Sequence, residues 1–171
     1  MVMLRISSGL SLGEVLLVLQ KYRDKTGLVK GRKELAKGRK GEGGRMGYTK
    51  GGKGVMQVVN PSVVISERHA DIAHYFTADS FKRGYSKSRT MHNEFLMWLT
   101  GEQHMGKAIE SGGAKDARDM FLFSSHPIPK SLLEELHAKK LNLRFTRNKT
   151  KEENALERMA WMKAQRILHV E

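Results

Sequence analysis

The sequence predicts a single mixed α/β domain spanning residues 1–171, with about four strands in one sheet covered by about six helices. A chain of 171 residues suffices for one hydrophobic core and is too short for two independent ones. Strand-like segments also alternate along the chain with segments whose apolar residues recur at helical spacing. Because each helix carries apolar side chains on one side, it must bury them against a sheet. The strand order stays open.

The first two elements are a strand and a helix. Val2, Leu4 and Ile6 alternate with polar or less apolar neighbours, which is typical of a half-buried strand. Ser11 is the expected start of a helix over "LGEVLLVLQKYRD", and Gly27 is its expected end.

Residues 30–54 differ from the rest of the chain in composition. They contain nine Gly, nine Lys or Arg and two Glu, and therefore carry a net charge of +7 out of +13. Few apolar side chains are available to offset the entropy of ordering this segment. We therefore expect a flexible basic loop insertion, which is either a tether for an RNA backbone or a solvated insertion without a dedicated partner.

Part of this segment is close to a phosphate-binding P-loop. Gly47 is followed after four residues by Gly52 and Lys53, but Gly54 stands where a P-loop has the Ser or Thr that binds magnesium. A P-loop must also lead into a helix, whereas the next segment, "VMQVVN", is a predicted strand. Nucleotide binding is therefore disfavoured.

Three helices are predicted in the middle of the chain. The strand "VMQVVN" is expected to end at Pro61, and Ser66 is the expected N-cap of a helix over residues 67–81. The next helix should end at Gly101 and precede a shorter one over residues 103–111. The apolar stripe of the helix that ends at Gly101 consists of Met91, Phe95, Trp98 and Leu99.

The C-terminal part is predicted to form a strand, a helix, a strand and a long helix. The strands are "DMFLFS" and "LNLRFT", and the helix between them is "PKSLLEELHAKK", with Pro129 in its first turn. Thr150 and Glu153 form a capping-box pattern for a final helix of about 19 residues.

The charge points to a polyanionic partner. A net charge of +13 and a pI near 10.1 favour nucleic acid, because clustered cations gain affinity by releasing condensed counterions. No stretch approaches the roughly 18 apolar residues of a membrane span, and no charged segment precedes the first apolar run. No membrane association is predicted, and a cytoplasmic location is expected.

Catalytic and metal sites are not predicted. The chain has no cysteine, which excludes disulfides, thiolate zinc sites and cysteine nucleophiles, and it has no G-x-S-x-G motif. His69 and His74 are five residues apart, which separates them by about 140° on a helix, so we interpret them as surface histidines. We expect no enzyme, no cofactor and no metal.

The segment "FKRGYSKSR" combines aromatic and basic residues. Single-stranded RNA is bound by such sets, because bases stack on rings while cations contact phosphates. The alternative is that Phe81 ends the core face of its helix and Tyr85 packs in a turn. Both interpretations stay open.

The final helix, "ALERMAWMKAQRIL", has apolar residues on nearly two faces, so we expect a protein partner to cover one of them. Trp98 and Trp161 are assigned mainly to the core. The predicted partner-binding residues are Met159, Met162, Arg166 and Ile167.

The runs "QVVNPSVVISERHADIAHYF", "SRTMHNEFLMWLTGEQHMGKAIESGGAKD" and "MFLF" resemble the smallest accessory subunit of the KEOPS complex, the family of the human PRPK-binding protein. The resemblance covers residues 55–124. Its specific features are Asn60 at the end of a strand, a helix begun by "ISERH", Glu94 in a helix that ends at Gly101, and the "KAIE" and "GAKD" segments.

The resemblance implies an α/β fold around a four-stranded sheet and a role without catalysis. KEOPS installs threonylcarbamoyl on adenosine beside the tRNA anticodon. In that family this subunit binds the kinase/ATPase subunit, and through it the threonylcarbamoyltransferase subunit, and captures the 3' CCA end of tRNA. The predicted RNA-binding residues are Lys82, Arg83, Tyr85, Lys87, Arg89, Gln103, His104 and Lys107.

This chain departs from the family where relatives carry a Gln-Arg-Gln-Ile-like run. Residues 102–105 are Glu-Gln-His-Met, so an arginine that could contact RNA is missing. The cations of residues 30–54 are a hypothetical replacement. The alternatives are a general RNA- or ribosome-associated basic protein without KEOPS partners, and an unrecognised enzyme.

Overall fold

The computed structural model describes residues 1–26, 54–143, 145 and 148–168. The elements are β1 Val2–Ser8, α1 Leu12–Thr26, β2 Met56–Val59, a 3-10 turn Pro61–Val63, α2 Glu67–Arg83, α3 Met91–Thr100, α4 Met105–Gly112, β3 Met120–Ser124, α5 Lys130–Glu135, β4 Ala138–Lys140 and α6 Lys149–Leu168. The predicted end of α1 at Gly27 and the predicted basic loop, apart from Gly54, lie outside the described residues.

The four strands form one antiparallel sheet in the order β2-β3-β1-β4. In its centre Leu4 lies opposite Leu122, and on one side Val58 also lies opposite Leu122. The predicted mixed α/β fold, with one four-stranded sheet and six helices in a single domain, is confirmed for the described residues. The sequence did not indicate the strand order.

The two faces of the sheet bury different cores. On one face Phe121 and Phe123 pack with apolar residues of α2, α3 and α6, including the fully buried Trp98. On the other face Leu122 packs with residues of α1 and α5, including Leu132. The helices that carry the candidate RNA-binding residues therefore share one side of the sheet.

The edges of the sheet are short or covered. β4 is an edge strand of three residues, and its Lys139 and Lys140 are exposed. At the opposite edge, Val59 forms an isolated bridge with Gly113, and the N–H of Asn60 donates to the carbonyl of Gly112 at 2.9 Å. The end of α4 therefore covers the β2 edge at Val59.

Several predicted helix ends are confirmed. The Oγ of Ser66 accepts the N–H of His69 at 3.0 Å at the start of α2. α3 ends at the predicted Gly101, whereas α2 continues past its predicted end at residue 81 to Arg83 and is followed by Gly84. Gly84 and Gly101 have φ values of 79° and 69°. These left-handed conformations favour glycine because it has no Cβ.

The region after β3 differs from the prediction. α5 ends at Glu135, and His137 has a φ of 48°, which interrupts the predicted helix. The residues that follow, Ala138–Lys140, pair with β1 instead, so β4 lies before the predicted strand "LNLRFT". Leu141 still donates its N–H to the carbonyl of Arg5 at 2.8 Å, but the alternation of leucines belongs to an irregular segment.

The start of α6 is also corrected. The helix begins at Lys149, and Asn148 Oδ1 accepts the N–H of Lys151 at 3.0 Å. Asn148 therefore caps the helix, and Thr150 already lies within it, because an Asn side chain two residues earlier satisfies the free N–H.

Two side chains were assigned to the wrong environment. His69 is only 1% exposed, so it is a core residue and not a surface histidine. Trp161 is 61% exposed, so only Trp98 of the two tryptophans is in the core. Both residues lie on helices in which buried and exposed positions are close in sequence. The sequence alone therefore does not say whether one amphipathic residue points to the core or to solvent.

Candidate nucleic-acid interface

The candidate interface is built on the α2–α3 loop, which we define as residues 84–90. Lys87 and Arg89 are exposed in this loop, whereas Tyr85, Ser86 and Ser88 are buried. Lys82 and Arg83 precede the loop in the last turn of α2 and are exposed as well. The loop therefore presents cations to solvent while its other side chains point inward.

Glu94 of α3 binds the backbone of this loop from the interior of the protein. Its side chain is fully buried, and its Oε2 accepts the backbone N–H groups of Lys87 at 3.1 Å and Ser88 at 2.8 Å. Hydrogen bonds from two N–H groups to a charged acceptor are among the stronger ones in proteins. The backbone that carries Lys87 is thus attached to a rigid helix.

Arg166 of α6 neutralises the same carboxylate. Its Nη1 donates to Oε1 of Glu94, and its side chain is 1% exposed. The guanidinium carbon also lies 4.4 Å from the centre of the Trp98 ring, a cation–π geometry. The Glu94–Arg166 pair therefore connects the C-terminal helix to α3 and to the loop.

Asp79 forms a second junction between α2, the loop and α6. Its carboxylate accepts the hydroxyl of Tyr85 at 2.5 Å, and it pairs with Arg83 at 2.8 Å and with Lys163 at 3.0 Å. The Tyr85 hydroxyl, followed by Lys163 and Arg83, holds the pKa of Asp79 below its ordinary value.

This junction corrects the predicted role of Tyr85. The side chain is 4% exposed, and burial followed by the hydrogen bond to Asp79 raises the pKa of its hydroxyl. A ring in this position is not accessible for stacking on a base. The alternative interpretation, a residue packed in the turn, describes what the structure shows.

Gln103 brings a second part of the chain to the loop. The Nζ of Lys87 donates to Oε1 of Gln103 at 2.9 Å, and Nε2 of Gln103 donates to Oε1 of Gln165 in α6. Three segments that are distant in sequence therefore meet at one point. The sequence did not indicate Gln165, since nothing in its neighbourhood distinguishes it from a solvated helix residue.

The other predicted RNA-binding residues are exposed and available. His104 is the N-cap residue of α4 and Lys107 lies in its first turn. In the part of the chain that the structure describes, Lys82, Arg89 and Lys107 make no ion pair and no side-chain hydrogen bond. No hydrogen bond or ion pair among the described residues joins them to the Lys87–Gln103 pair, so such bonds connect only part of the predicted set.

The predicted partner-binding residues of α6 are mostly buried. Met159, Met162 and Arg166 have exposures of 0%, 1% and 2%, because they face α2 and α3. Only Ile167, at 39%, is accessible. The exposed apolar residues of the helix are instead Trp161, at 61%, and Leu168, at 72%, seven positions apart and therefore on one side.

Two surface pockets of the described residues each lack the carboxylate pair used in acid–base catalysis. A cavity of about 400 Å³ between α2, α3 and α6 contains one carboxylate, Glu102, and a second pocket beside β1 contains one, Asp116. Within the described ranges, no three His, Asp or Glu side chains converge closely enough to hold a metal ion.

These features define a small, basic α/β protein that presents a cationic loop and an exposed apolar helix side to solvent. The model of the family named kinase binding protein CGI-121 matches residues 47–161, which is more than half of the chain. The chain belongs to this family. The membership confirms the resemblance inferred from the sequence and supports an accessory role that includes kinase binding.

No curated protein gives a significant match to the chain. Among the helices of the described ranges, none combines the length and the apolar composition that crossing a bilayer requires.

Proposed function

We propose that this protein is a non-catalytic accessory subunit of a KEOPS-like complex. It binds the 3' CCA end of tRNA and the kinase/ATPase subunit, and so supports threonylcarbamoyladenosine modification of tRNA. Membership of a kinase-binding family supports the accessory role. The observation that carries the RNA-binding part is the contact between Lys87 and Gln103, which places the α2–α3 loop beside the start of α4.

The charge of this surface suits a flexible, unpaired RNA end. Lys82, Lys87, Arg89 and Lys107 are exposed cations on one loop and the two helix ends next to it. Cations contribute to affinity by displacing counterions from phosphates, and this contribution decreases with salt. Because Tyr85 is buried and residue 103 is not an arginine, phosphate contacts carry most of the proposed affinity.

The outer side of α6 is the proposed kinase-binding surface. Trp161, Ile167 and Leu168 are exposed there, whereas Arg166 faces the opposite direction and holds the helix in place. Exposed apolar residues, tryptophan above all, are enriched among residues that dominate interface energies. Through the kinase/ATPase subunit the protein would reach the threonylcarbamoyltransferase subunit.

Binding to tRNA with and without its CCA end tests the proposal at fixed salt. We expect the full-length tRNA to bind more tightly, because the unpaired end is the proposed ligand. Equal affinity for both tRNAs would contradict recognition of the end. Equal affinity together with no binding to a KEOPS-type kinase subunit would favour a general RNA-associated protein.

A further inference from the structure

Buried and exposed side chains alternate over residues 86–89 of the α2–α3 loop, and Glu94 binds the backbone of this segment. Lys87 and Arg89 point to solvent, while Ser86 and Ser88 are 7% and 9% exposed. The backbone N–H groups of Lys87 and Ser88 both donate to Glu94 Oε2. Two consecutive N–H groups are thus held on the inner side of a loop from which the Lys87 side chain reaches solvent.

We propose that Glu94 is a positioning residue for RNA binding: through the backbone of the α2–α3 loop it sets the direction in which Lys87 and Arg89 meet phosphate. This inference rests on the proposed function. Glu94 is fully buried and therefore does not contact RNA itself.

The geometry requires a carboxylate at this position. Oε2 accepts two N–H groups and Oε1 accepts the guanidinium of Arg166, so both oxygens act only as acceptors. A glutamine has the same shape but replaces one oxygen by an NH₂ group, which is a donor. Either the loop N–H groups or the guanidinium would then face another donor inside the protein, which is unfavourable.

The pair also makes α6 a support of the loop. Arg166 Nε and Nη2 have no hydrogen-bond partner among the described residues, so the bond through Nη1 is the one that fixes the guanidinium. Removing one member of a buried ion pair leaves the other charge uncompensated. The orientation of the loop therefore depends on Arg166 of α6, which lies 72 residues after Glu94 in the chain.

The test is the Glu94→Gln variant in the full chain, with salt-dependent tRNA binding as the measurement. We expect affinity to fall about tenfold and the slope of log affinity against log salt to become shallower by about one to two, since Lys87 and Arg89 lose their common direction. Leu132→Ala, in the core on the opposite face of the sheet, is the matched control for lost stability and should keep the wild-type slope.

A double-mutant cycle separates positioning from general damage. If Glu94 acts through Lys87 and Arg89, Glu94→Gln should cause no further loss of affinity in a chain that already carries Lys87→Gln and Arg89→Gln. Full additivity of the two effects would overturn the proposal, as would a folded Glu94→Gln variant with wild-type affinity and slope. If that variant does not fold, Glu94→Asp, which keeps the charge but shortens the reach, is measured in the same cycle.

The same measurements distinguish an error in the proposed function from an error in the positioning role. A wild-type protein without salt-dependent tRNA binding would refute RNA binding, and the positioning role with it. Wild-type binding with an unchanged Glu94→Gln variant refutes only the positioning role. Faster amide exchange at Lys87 and Ser88 in Glu94→Gln than in Leu132→Ala would support the structural step, and equal exchange would count against it.

Discussion

The hydroxyl of Tyr85 donates to Oδ2 of Asp79 at 2.5 Å, and this contact fixes the first residues of the α2–α3 loop against α2. The same carboxylate also binds Lys163 of α6. Tyr85 thereby belongs to the framework of the surface and not to its contact residues.

The variant Tyr85→Phe is expected to lower the free energy of unfolding by about 1 kcal/mol, since one buried hydrogen bond is lost while Asp79 keeps two cationic partners. Urea denaturation measures this change. Tyr75→Phe, at a site that is 59% exposed, is the control and should be neutral. Affinity for tRNA should stay at the wild-type value. A large loss of affinity would mean that Tyr85 contacts RNA.

Replacing Lys87 and Arg89 by glutamine is expected to make the slope of log tRNA affinity against log salt shallower by about two, because two phosphate contacts are lost. Both side chains are exposed, so stability should change little. The variant Lys139→Gln, Lys140→Gln removes the same charge from the edge strand β4 and is the matched control. A control with the same reduction would mean that net charge, and not the loop, determines affinity.

Substitutions at two neighbouring residues of α6 are expected to affect different properties, one the binding of the partner and the other the stability of the fold. Trp161→Ala removes an exposed side chain and should abolish capture of the kinase subunit with little change in unfolding free energy. Met162→Ala, one residue later in the core, should lower stability by about 2–5 kcal/mol because it leaves a cavity. Kinase capture that survives Trp161→Ala would exclude the outer side of α6 as the docking surface.

Stability is expected to decrease as the pH falls below about 6.5. Burial lowers the pKa of His69 from 6.5 to about 4, despite the opposing effect of Glu152, and burial with the neighbouring Arg23 lowers that of His92 to about 4. Between these values the unfolded chain binds more protons than the folded one, so stability present above pH 6.5 is lost on acidification.

For His69 alone the loss between pH 7.5 and pH 5 is about 2 kcal/mol. Urea denaturation at the two pH values measures it. His69→Gln should show a smaller difference than the wild type, whereas His104→Gln, at an exposed position, should show the same difference. An unchanged difference in His69→Gln would mean that other groups determine the acid sensitivity.

The predictions from sequence succeeded where a local pattern has one physical meaning. The Ser66 cap, the glycine after α3 and the alternation in β1 each depend on a few neighbouring residues. The β4 prediction failed because a strand of three residues is defined by its partner β1, not by its own apolar pattern.

The candidate site was predicted less completely, because burial of amphipathic residues depends on contacts between distant segments. The sequence left Tyr85 open between contacting RNA and packing in the turn. Met162 was interpreted as a partner-binding residue, since periodicity does not say which of two apolar faces meets the core. Glu94 was noticed only as part of a family resemblance. A carboxylate between apolar residues in "MHNEFLMWL" was the available signal for a buried ion pair, but its partner 72 residues away had none.

The edges of the sheet bear on how this protein assembles with others. β4 is short and lysine-bearing, and the end of α4 bridges the Val59 end of β2. Both features disfavour partners that would prolong the sheet, as in β-augmentation. We therefore expect assembly through side chains on helices and loops, where a point substitution can remove one partner while the fold and the other contacts persist.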